Sequence, residues 1–301
     1  MTDHRNIGPT GRRLAPARLL SDIRALLGEG PAWDARSGRV LSVDIEGRRL
    51  HRTDPESGAT QSLEVAEAIG VCLPRGSGGY VAALETGFHA ISDDGKVEEL
   101  VRVDTRAEGL RFNDGACDPQ GRLWAGTMAW DARPGAGALY RLDPDLRLER
   151  VLDGVTISNG LGWSPDGGTL YYVDTPTMRV DAFDYDPPTG NVSRRRTFVE
   201  LPGPGRPDGL CVDAEGAVWV ALWGGWSVER YLIDGRLDAV IPLPVAQVSS
   251  CAFGGPELDQ LFITSAWVGL SDEDRDAQPL AGSLFRARPG VQGLAQASFA
   301  G

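Results

Sequence analysis

Residues 113–128, NDGACDPQGRLWAGTM, show the pattern that decides the fold: a polar residue, a nearby glycine, an apolar pair, a turn and an apolar strand. The same pattern opens the segments EGPAWDARSGRVLSVDI at Glu29, NGLGWSPDGGTLYYVDT at Asn159 and DGLCVDAEGAVWVALW at Asp208. Two weaker copies, GVCLPRGSGGYVAAL and SCAFGGPELDQLFITSAW, lack the initial acid or amide. The chain therefore contains six copies of one unit.

The spacing of the copies indicates what the unit builds. Successive copies lie 40 to 48 residues apart when they are aligned on one turn residue in each copy. These turn residues are Gly38, Gly78, Gly121, Gly168, Gly216 and Asp259. A period of this length, with short strands rich in β-branched and aromatic residues, is typical of propeller blades. We therefore expect an all-β protein, a six-bladed β-propeller with four-stranded antiparallel blades around a central channel.

The copies extend from about residue 29 to residue 267 without a low-complexity linker, which favours one domain. We expect a flexible N-terminal tail over residues 1–16 and a single propeller domain over residues 17–301. The tail has basic residues but no apolar segment with a cleavage site, so it does not resemble a signal peptide. Residues 18–27, RLLSDIRALL, have a leucine spacing that also allows a short helix. We favour a strand that completes the last blade, because such closure removes an exposed sheet edge.

Composition excludes several classes of function. The formal net charge of −12 argues against a nucleic-acid partner, since such a partner presents phosphates. No apolar run reaches about 18 residues, so no membrane span is expected. The four cysteines lack the spacing of a metal site, and we expect buried thiols in a reducing cytoplasm. No obligate protein partner is implied.

Histidine is scarce, which limits the chemistry available. The chain has only His4, His51 and His89, and none of them lies in a catalytic motif. There is also no nucleophile-elbow signature for a Ser-His-Asp triad. Any chemistry must therefore depend on carboxylates, amides, arginine and a metal.

Four polar residues occupy one register of the repeat. Glu29, Asn113, Asn159 and Asp208 precede the turn residues of their copies by eight or nine positions. Because radial blades bring one register to one height, we expect these residues to converge at one mouth of the channel. The alternative is that the Asn and Asp residues are turn formers whose side chains bond the local backbone. Glu29 argues against it, since Glu is a poor turn former.

Three of these residues offer only oxygen ligands. Glu29, Asn159 and Asp208 suit one hard divalent ion, with Ca²⁺ expected first and Mg²⁺, Mn²⁺, Zn²⁺ or Fe²⁺ as alternatives. Two carboxylates brought together in a channel need a neutralising charge, and a dication supplies it. The alternative is a pair of carboxylates that act as the acid and base of a glycosidase.

A cation and an amide lie beside this set. Arg111 precedes Asn113 by two residues, so alternation along an extended chain sends both side chains to one side. Together they can bind the hydroxyls or carboxylate of a small polar ligand. The alternative is that Arg111 pairs with an acid of a neighbouring blade. Asp114 is expected to cap the turn.

Longer blocks of the sequence resemble the regucalcin (senescence marker protein), gluconolactonase and luciferin-regenerating-enzyme family. The matching blocks lie within residues 18–287 and are LGEGPAWD, RFNDGACDPQGRLWAGTM, SNGLGWSPDGGTLYYVDT, RPDGLCVDAEGAVWVA and ITSAWVGLSDEDRDAQPLAGSLF. The resemblance implies a six-bladed propeller that holds one divalent metal in its axis. It also implies hydrolysis of an aldonolactone, with a small sugar lactone as the partner molecule.

Carried over position by position, the resemblance assigns the metal ligands to Glu29, Asn159 and Asp208. It assigns the binding of substrate hydroxyls to Arg111 and Asn113. A further acid, Asp131 in the loop AGTMAWDA, aligns with a substrate-contacting residue that is often Glu in animal members. The shorter side chain leaves the preference among sugar lactones open.

The expected mechanism is hydrolysis by water at a carbonyl that the metal polarises, with Asp208 as the general base. One rival is a phosphotriesterase or broad lactonase on the same fold, although no axial histidine is present for it. The other is a non-catalytic calcium-binding or ligand-sensing propeller, which would not need Arg111 and Asn113 at the same mouth.

Overall fold

Short apolar strands make up nearly all the regular structure in the computed structural model, which describes residues 11–301. The strands form six antiparallel sheets, five of four strands and one of five. In four of the sheets all strands follow one another in sequence and are antiparallel, and the other two sheets each add one N-terminal strand. The six-bladed β-propeller predicted from the repeat is confirmed.

The first three blades follow two short N-terminal strands, and each blade runs from the axis outward. The strands are β1 (Arg12–Arg13), β2 (Arg18–Ser21); β3 (Gly28–Asp34), β4 (Arg39–Asp44), β5 (Arg49–Thr53), β6 (Thr60–Glu64); β7 (Ile69–Pro74), β8 (Tyr80–Leu84), β9 (Gly87–Ile91), β10 (Val97–Arg102); β11 (Leu110–Cys117), β12 (Leu123–Ala129), β13 (Gly137–Leu142) and β14 (Leu148–Val155).

The last three blades include the one short α-helix of the described residues, which lies between the last two strands. These elements are β15 (Ser158–Trp163), β16 (Thr169–Asp174), β17 (Arg179–Asp186), β18 (Asn191–Glu200); β19 (Arg206–Val212), β20 (Val218–Trp223), β21 (Ser227–Tyr231), β22 (Leu237–Pro242); β23 (Val248–Gly254), β24 (Gln260–Ser265), α1 (Asp272–Ala277) and β25 (Leu284–Ala287). Two 3-10 turns, Arg106–Glu108 and Thr175–Thr177, connect strands.

The N-terminal segment closes the ring. β2 pairs with β25, so the sixth blade combines three C-terminal strands with one N-terminal strand. The strand expected within residues 18–27 is thus confirmed and covers Arg18–Ser21. β1 adds a fifth, parallel strand to the outer edge of the fifth blade. Residues 1–10 of the expected tail lie outside the described residues.

The innermost strands form a closed ring around the axis. Neighbouring inner strands are in contact in the order β3, β7, β11, β15, β19, β23 and back to β3. β3, β7 and β23 are buried along their whole length, whereas outer strands such as β18 are largely exposed. The apolar residues of the inner strands therefore pack between blades, and the polar residues among them face the channel or one another.

The same buried hydrogen bond between an aspartate and a tryptophan occurs in two of the blades. The Asp118 carboxylate accepts a hydrogen bond from the indole N of Trp124, and Asp213 makes the same contact with Trp219. Both indoles are fully buried. Trp163 is also buried and packs edge-on against Trp124. These tryptophans belong to the core, as the strand pattern indicates.

The C-terminal segment crosses one end of the channel. Its residues pair with turns of different blades, Gly293 with Asp213 and Phe299 with Arg75. Phe299 is fully buried there. Between residues 294–297 and the axis lies a cavity of about 300 Å³, lined in part by Asp114. The inner strands begin at the opposite end of the channel.

The four cysteine side chains are buried or partly buried. All four cysteines are free, and burial raises the pKa of the Cys72 and Cys117 thiols. The Sγ atoms of Cys211 and Cys251 lie 3.7 Å apart. No helix among residues 11–301 combines the length and the apolar character that crossing a bilayer requires.

Candidate metal and substrate site

A β-bulge interrupts the innermost strand of every blade near its start. Asn113, Asn159 and Asp208 lie within the bulges of β11, β15 and β19. Glu29 is the last paired residue before the bulge of β3. A bulge bends a strand and redirects its side chains. The repeat thus gives four polar residues the same local backbone irregularity at the same end of the ring.

Two glycines let neighbouring inner strands approach closely at this height. A Cβ atom on Gly160, next to Asn159, would lie 2.4 Å from a backbone nitrogen of the adjacent blade. One on Gly209, next to Asp208, would lie 2.0 Å from Oγ of Ser250. Neither glycine has a left-handed backbone. Close packing between strands, and not a turn, therefore explains the Asn-Gly and Asp-Gly pairs, and the turn-former alternative does not hold for them.

Two aspartates at the ends of second strands fix the chain that leads into the site. The Asp44 carboxylate accepts a hydrogen bond of 3.0 Å from the backbone N of Leu27, two residues before Glu29. The Asp174 carboxylate accepts one of 2.9 Å from the backbone N two residues before Asn159. Both aspartates follow their site residue by 15 positions. Each therefore anchors the entry of an inner strand in an equivalent way.

Asn159 is held in one orientation by a neighbouring hydroxyl. Its Nδ2 atom donates to Oγ1 of Thr175 at 2.8 Å, and that hydroxyl donates to the carbonyl of Pro207 at 2.8 Å. Pro207 directly precedes Asp208. The Oδ1 atom of Asn159 is buried and has no hydrogen-bond partner among the described residues. An orphaned buried acceptor is costly, so this oxygen is available for a ligand.

Buried carboxylates stand close to one another around this amide. Burial, and then the charges of Asp208 and Asp114, raise the pKa of Glu29 well above its usual value. Burial, and then the charge of Asp114, likewise raise the pKa of Asp208, while the amide of Asn159 opposes that rise. Burial raises the pKa of Asp114 to about 6. The ionised forms of these carboxylates are therefore disfavoured in the metal-free channel, although the charge of Arg111 opposes this for Glu29 and Asp208.

Arg111 and Asn113 lie side by side at the same mouth and are bonded to each other. Arg111 Nη1 donates to Oδ1 of Asn113 at 2.6 Å and to the carbonyl of Phe112 at 3.2 Å. Asn113 Nδ2 donates in turn to the carbonyl of Ser158. Arg111 is only 5% exposed, and its Nε atom has no partner among the described residues. Burial lowers the pKa of Arg111 to about 10, although Glu46 and Glu29 raise it.

The donor set fits a hard divalent cation. Glu29 and Asp208 supply two buried carboxylates, and Asn159 supplies an unpaired amide oxygen, which matches the ligand preference of Ca²⁺, Mg²⁺ or Mn²⁺. Within residues 11–301, no three side chains of His, Cys, Asp or Glu are placed to hold a metal by themselves. Asp114 lines the cavity at the other side of this group. The amide oxygen of Asn159 is the third oxygen donor of the candidate set.

Asp131 does not join the buried group. Its side chain is 65% exposed and forms an ion pair of 3.1 Å with Arg133 on the same loop. The backbone N of Arg133 also donates to it, and both contacts lower the pKa of Asp131. The neighbouring Trp130 is 46% exposed, and its ring lies over the guanidinium of Arg111 with 5.1 Å between Cζ and the ring centroid.

Several residues of this region were missed by the sequence interpretation. Asp114 does accept a hydrogen bond from the backbone N of Gly115, as a turn cap would. It also belongs to the buried carboxylate group, which the turn expectation omits. Thr175 and Trp130 carried no signal of their own. Asp44 and Asp174 did, because their constant offset from the site residues is visible in the repeat.

Comparison with known proteins gives consistent matches over nearly the whole chain. Regucalcin of Xenopus laevis is 42% identical over 286 residues, which are 91% of this chain and 95% of that protein. A Bacillus subtilis protein provisionally named sugar lactone lactonase YvrE is 37% identical, covering 95% of this chain and 99% of that protein. The crystal structure of a calcium-binding protein, regucalcin, from Agrobacterium tumefaciens superposes with a TM-score of 0.92 at 30% identity. That match covers 97% of this chain and 99% of the other.

A family description also matches residues 27–267. This range includes the innermost strand of every blade and every candidate metal ligand. That description is the SMP-30/Gluconolactonase/LRE-like region. The chain therefore belongs to the SMP-30/gluconolactonase/LRE-like family.

Proposed function

We propose that this protein is a lactonase that hydrolyses a sugar lactone to the open aldonic acid in a reaction that depends on one divalent metal. The observation that supports the proposal is a pair of buried carboxylates, Glu29 and Asp208, whose charges affect each other, with an unpaired buried amide oxygen on Asn159. Family membership and the name of the Bacillus subtilis relative support a lactone as the substrate class.

The metal would be held by Glu29, Asn159 and Asp208. A bound dication supplies Lewis-acid polarisation of a carbonyl oxygen and neutralises the buried carboxylates. Ca²⁺ is our first choice because all three ligands are oxygens, and because the superposed Agrobacterium regucalcin is called a calcium-binding protein.

The polar residues at the mouth have distinct parts in the proposed reaction. Arg111 and Asn113 bind hydroxyl groups of the substrate through their guanidinium and amide groups. Asp208 accepts a proton at a carboxylate oxygen from the water that attacks the lactone carbonyl. Asp131 contacts the far end of the substrate from the loop after β12. When the bond between the carbonyl carbon and the ring oxygen breaks, the ring oxygen takes up that proton from Asp208 and becomes the alcohol of the open acid, so one water is consumed and no other reactant is needed.

The activity is tested by titrating the acid that the protein releases from each member of a panel of aldonolactones. Protein stripped with a chelator is reloaded with Ca²⁺, Mg²⁺, Mn²⁺, Zn²⁺ or Fe²⁺ and compared with the stripped protein. We expect acceleration with at least one metal and a loss of activity after stripping. Metal binding without acceleration of any sugar lactone would favour a non-catalytic calcium-binding or ligand-sensing protein.

The role of Asp208 is tested by two substitutions. Asp208→Ala removes both ligand and base and should abolish turnover. Asp208→Asn keeps one oxygen ligand but removes the base, so kcat should fall by about 10²–10⁴-fold when metal is saturating. The exposed Asp145→Asn serves as the control. Near-normal turnover of Asp208→Asn with metal bound would refute the base assignment.

A further inference from the structure

Trp130 is an exposed aromatic side chain at the edge of the candidate site. It follows the buried end of β12, and its backbone N donates to the carbonyl of Gly109 at 3.1 Å. Its side chain has 46% of its surface exposed, although large aromatic residues are usually buried. The backbone contact fixes the position of the Trp130 main chain at the mouth.

One face of the Trp130 ring already contacts another side chain. The guanidinium of Arg111 lies 5.1 Å from the ring centroid, a distance at which a cation is attracted to an aromatic face. Arg111 itself is only 5% exposed. Trp130 therefore covers a buried cation on one side and leaves the rest of its surface open beside the groups that we propose to bind hydroxyls.

The other accessible tryptophans lack this combination. Trp267 has its ring covered by the guanidinium of Arg275 at 4.2 Å, and its indole N donates to the carbonyl of Arg24. Trp226 is 42% exposed and sits on the loop between β20 and β21, and among the described residues no cation lies over its ring. Trp130 is thus the exposed indole that touches the proposed substrate-binding arginine.

We propose that Trp130 determines specificity for a cyclic substrate: it carries Arg111 on one face and presents its remaining surface to the C–H-bearing face of a sugar lactone ring. A saturated sugar ring has hydroxyls at its edge and C–H groups on its faces. Arg111 and Asn113 suit the edge, and an exposed indole suits the face. An open-chain polyol keeps the hydroxyls of the ring and adds the two that ring closure consumes, but it has no flat face to place on the indole. The inference rests on the proposed function for the identity of the substrate.

The experiment compares two ligands with the same carbon chain that differ by ring closure, which replaces two hydroxyls with one ring oxygen. Binding of 1,5-anhydroglucitol, a ring without a lactone carbonyl, and of open-chain sorbitol is measured by calorimetry on metal-loaded protein. The variants are Trp130→Leu, which keeps an apolar cover over Arg111, and Trp130→Phe, which keeps a ring. Trp226→Leu is the matched control. Turnover of an aldonolactone is measured in parallel.

We expect the wild type to prefer the cyclic ligand and Trp130→Leu to lose roughly tenfold in cyclic affinity while open-chain affinity changes little. Trp130→Phe should restore most of the preference, and Trp226→Leu should keep it. In the turnover assay, Trp130→Leu should raise KM by a similar factor and leave kcat nearly unchanged.

Three outcomes would overturn the inference. They are the absence of a cyclic preference in the wild type, an equal loss for both ligands in Trp130→Leu, and an equal loss in Trp226→Leu. An equal loss for both ligands would mean that Trp130 only positions Arg111. A ring preference that depends on Trp130 in a protein that hydrolyses no lactone would refute the proposed function and leave this inference standing.

Discussion

The hydroxyl of Thr175 accepts a hydrogen bond from the Asn159 amide at 2.8 Å and thereby decides which atom of that amide faces the channel. With Nδ2 bonded to Thr175, the oxygen is directed to the unpaired position. The same hydroxyl donates to the carbonyl of Pro207, directly before Asp208. One threonine outside the predicted register thus positions two of the three proposed ligands.

Thr175→Val should weaken metal binding without removing any ligand. Valine has nearly the shape of threonine but leaves the Asn159 amide without its partner, so the amide can rotate away. Loss of such an outer contact typically costs 10–100-fold in metal affinity. The dissociation constant is measured by competition with a calcium indicator.

Thr177→Val is the matched control for that experiment. Thr177 lies in the same 3-10 turn, but its hydroxyl donates to the carbonyl of Asp174 and not to a ligand. Its substitution should change metal affinity by less than about threefold, well below the loss expected for an outer ligand contact. Equal affinities of Thr175→Val and the wild type would show that the amide orientation is set by other contacts.

Glu29→Gln should stabilise the protein when metal is absent. Burial and the nearby Asp208 and Asp114 charges raise the pKa of Glu29, so the ionised side chain is unfavourable in the metal-free fold at neutral pH. The neutral isostere removes this repulsion, and each kcal/mol gained raises Tm by about 2–4 °C. Thermal melts in chelator at pH 7.5 measure the gain, with the exposed Glu64→Gln as control. The variant should also lose the further rise in Tm that metal gives the wild type.

Asp114 should make the metal-free protein less stable as pH rises. Its pKa is raised from the model-compound value of 3.8 to about 6 in the fold, so between these values the folded state binds more protons than the unfolded state. The free energy of unfolding then falls as pH increases through this window, by at most about 3 kcal/mol. Urea titrations of wild type and Asp114→Asn in chelator from pH 4.5 to 7.5 isolate the effect. A stability difference between the two proteins that does not grow with pH would contradict it.

Asp44→Ala should destabilise the first blade and weaken metal binding together. The Asp44 carboxylate accepts hydrogen bonds from the backbone N atoms of Leu26, Leu27 and Gly47. Unpaired donors in partly buried positions cost about 1–3 kcal/mol each, and some will find water, so we expect a loss of about 2–4 kcal/mol. Urea unfolding measures the loss, and Asp145→Ala on an exposed turn should change little. Unchanged metal affinity would show that the entry of β3 is fixed without Asp44.

Phe299→Ala should separate stability from function. Phe299 is fully buried where the C-terminal segment closes the end of the channel opposite the candidate site. Removing a buried phenylalanine side chain costs about 3–5 kcal/mol. Metal affinity below the unfolding transition should remain that of the wild type. The neighbouring exposed Ser298→Ala is the control, and a joint loss of metal affinity would mean that the two ends of the channel are coupled.

The sequence by itself determined the repeat, the six blades, the closing N-terminal strand and the common register of Glu29, Asn113, Asn159 and Asp208. Each of these follows from local patterning, because strand period, turn residues and repeat length are properties of neighbouring positions. It also assigned the buried tryptophans, since an aromatic residue within an apolar strand has few places other than the core.

Only the tertiary structure decided which side chains meet across blades. The contact of Thr175 with Asn159, the cover of Trp130 over Arg111 and the entry of Asp114 into the buried carboxylate group join residues of different strands or blades. It likewise decided that Asp131 is exposed and paired with Arg133. Such contacts depend on strand bulges, side-chain rotamers and the close approach at Gly160 and Gly209, and a single sequence encodes these only through the packing of the whole ring.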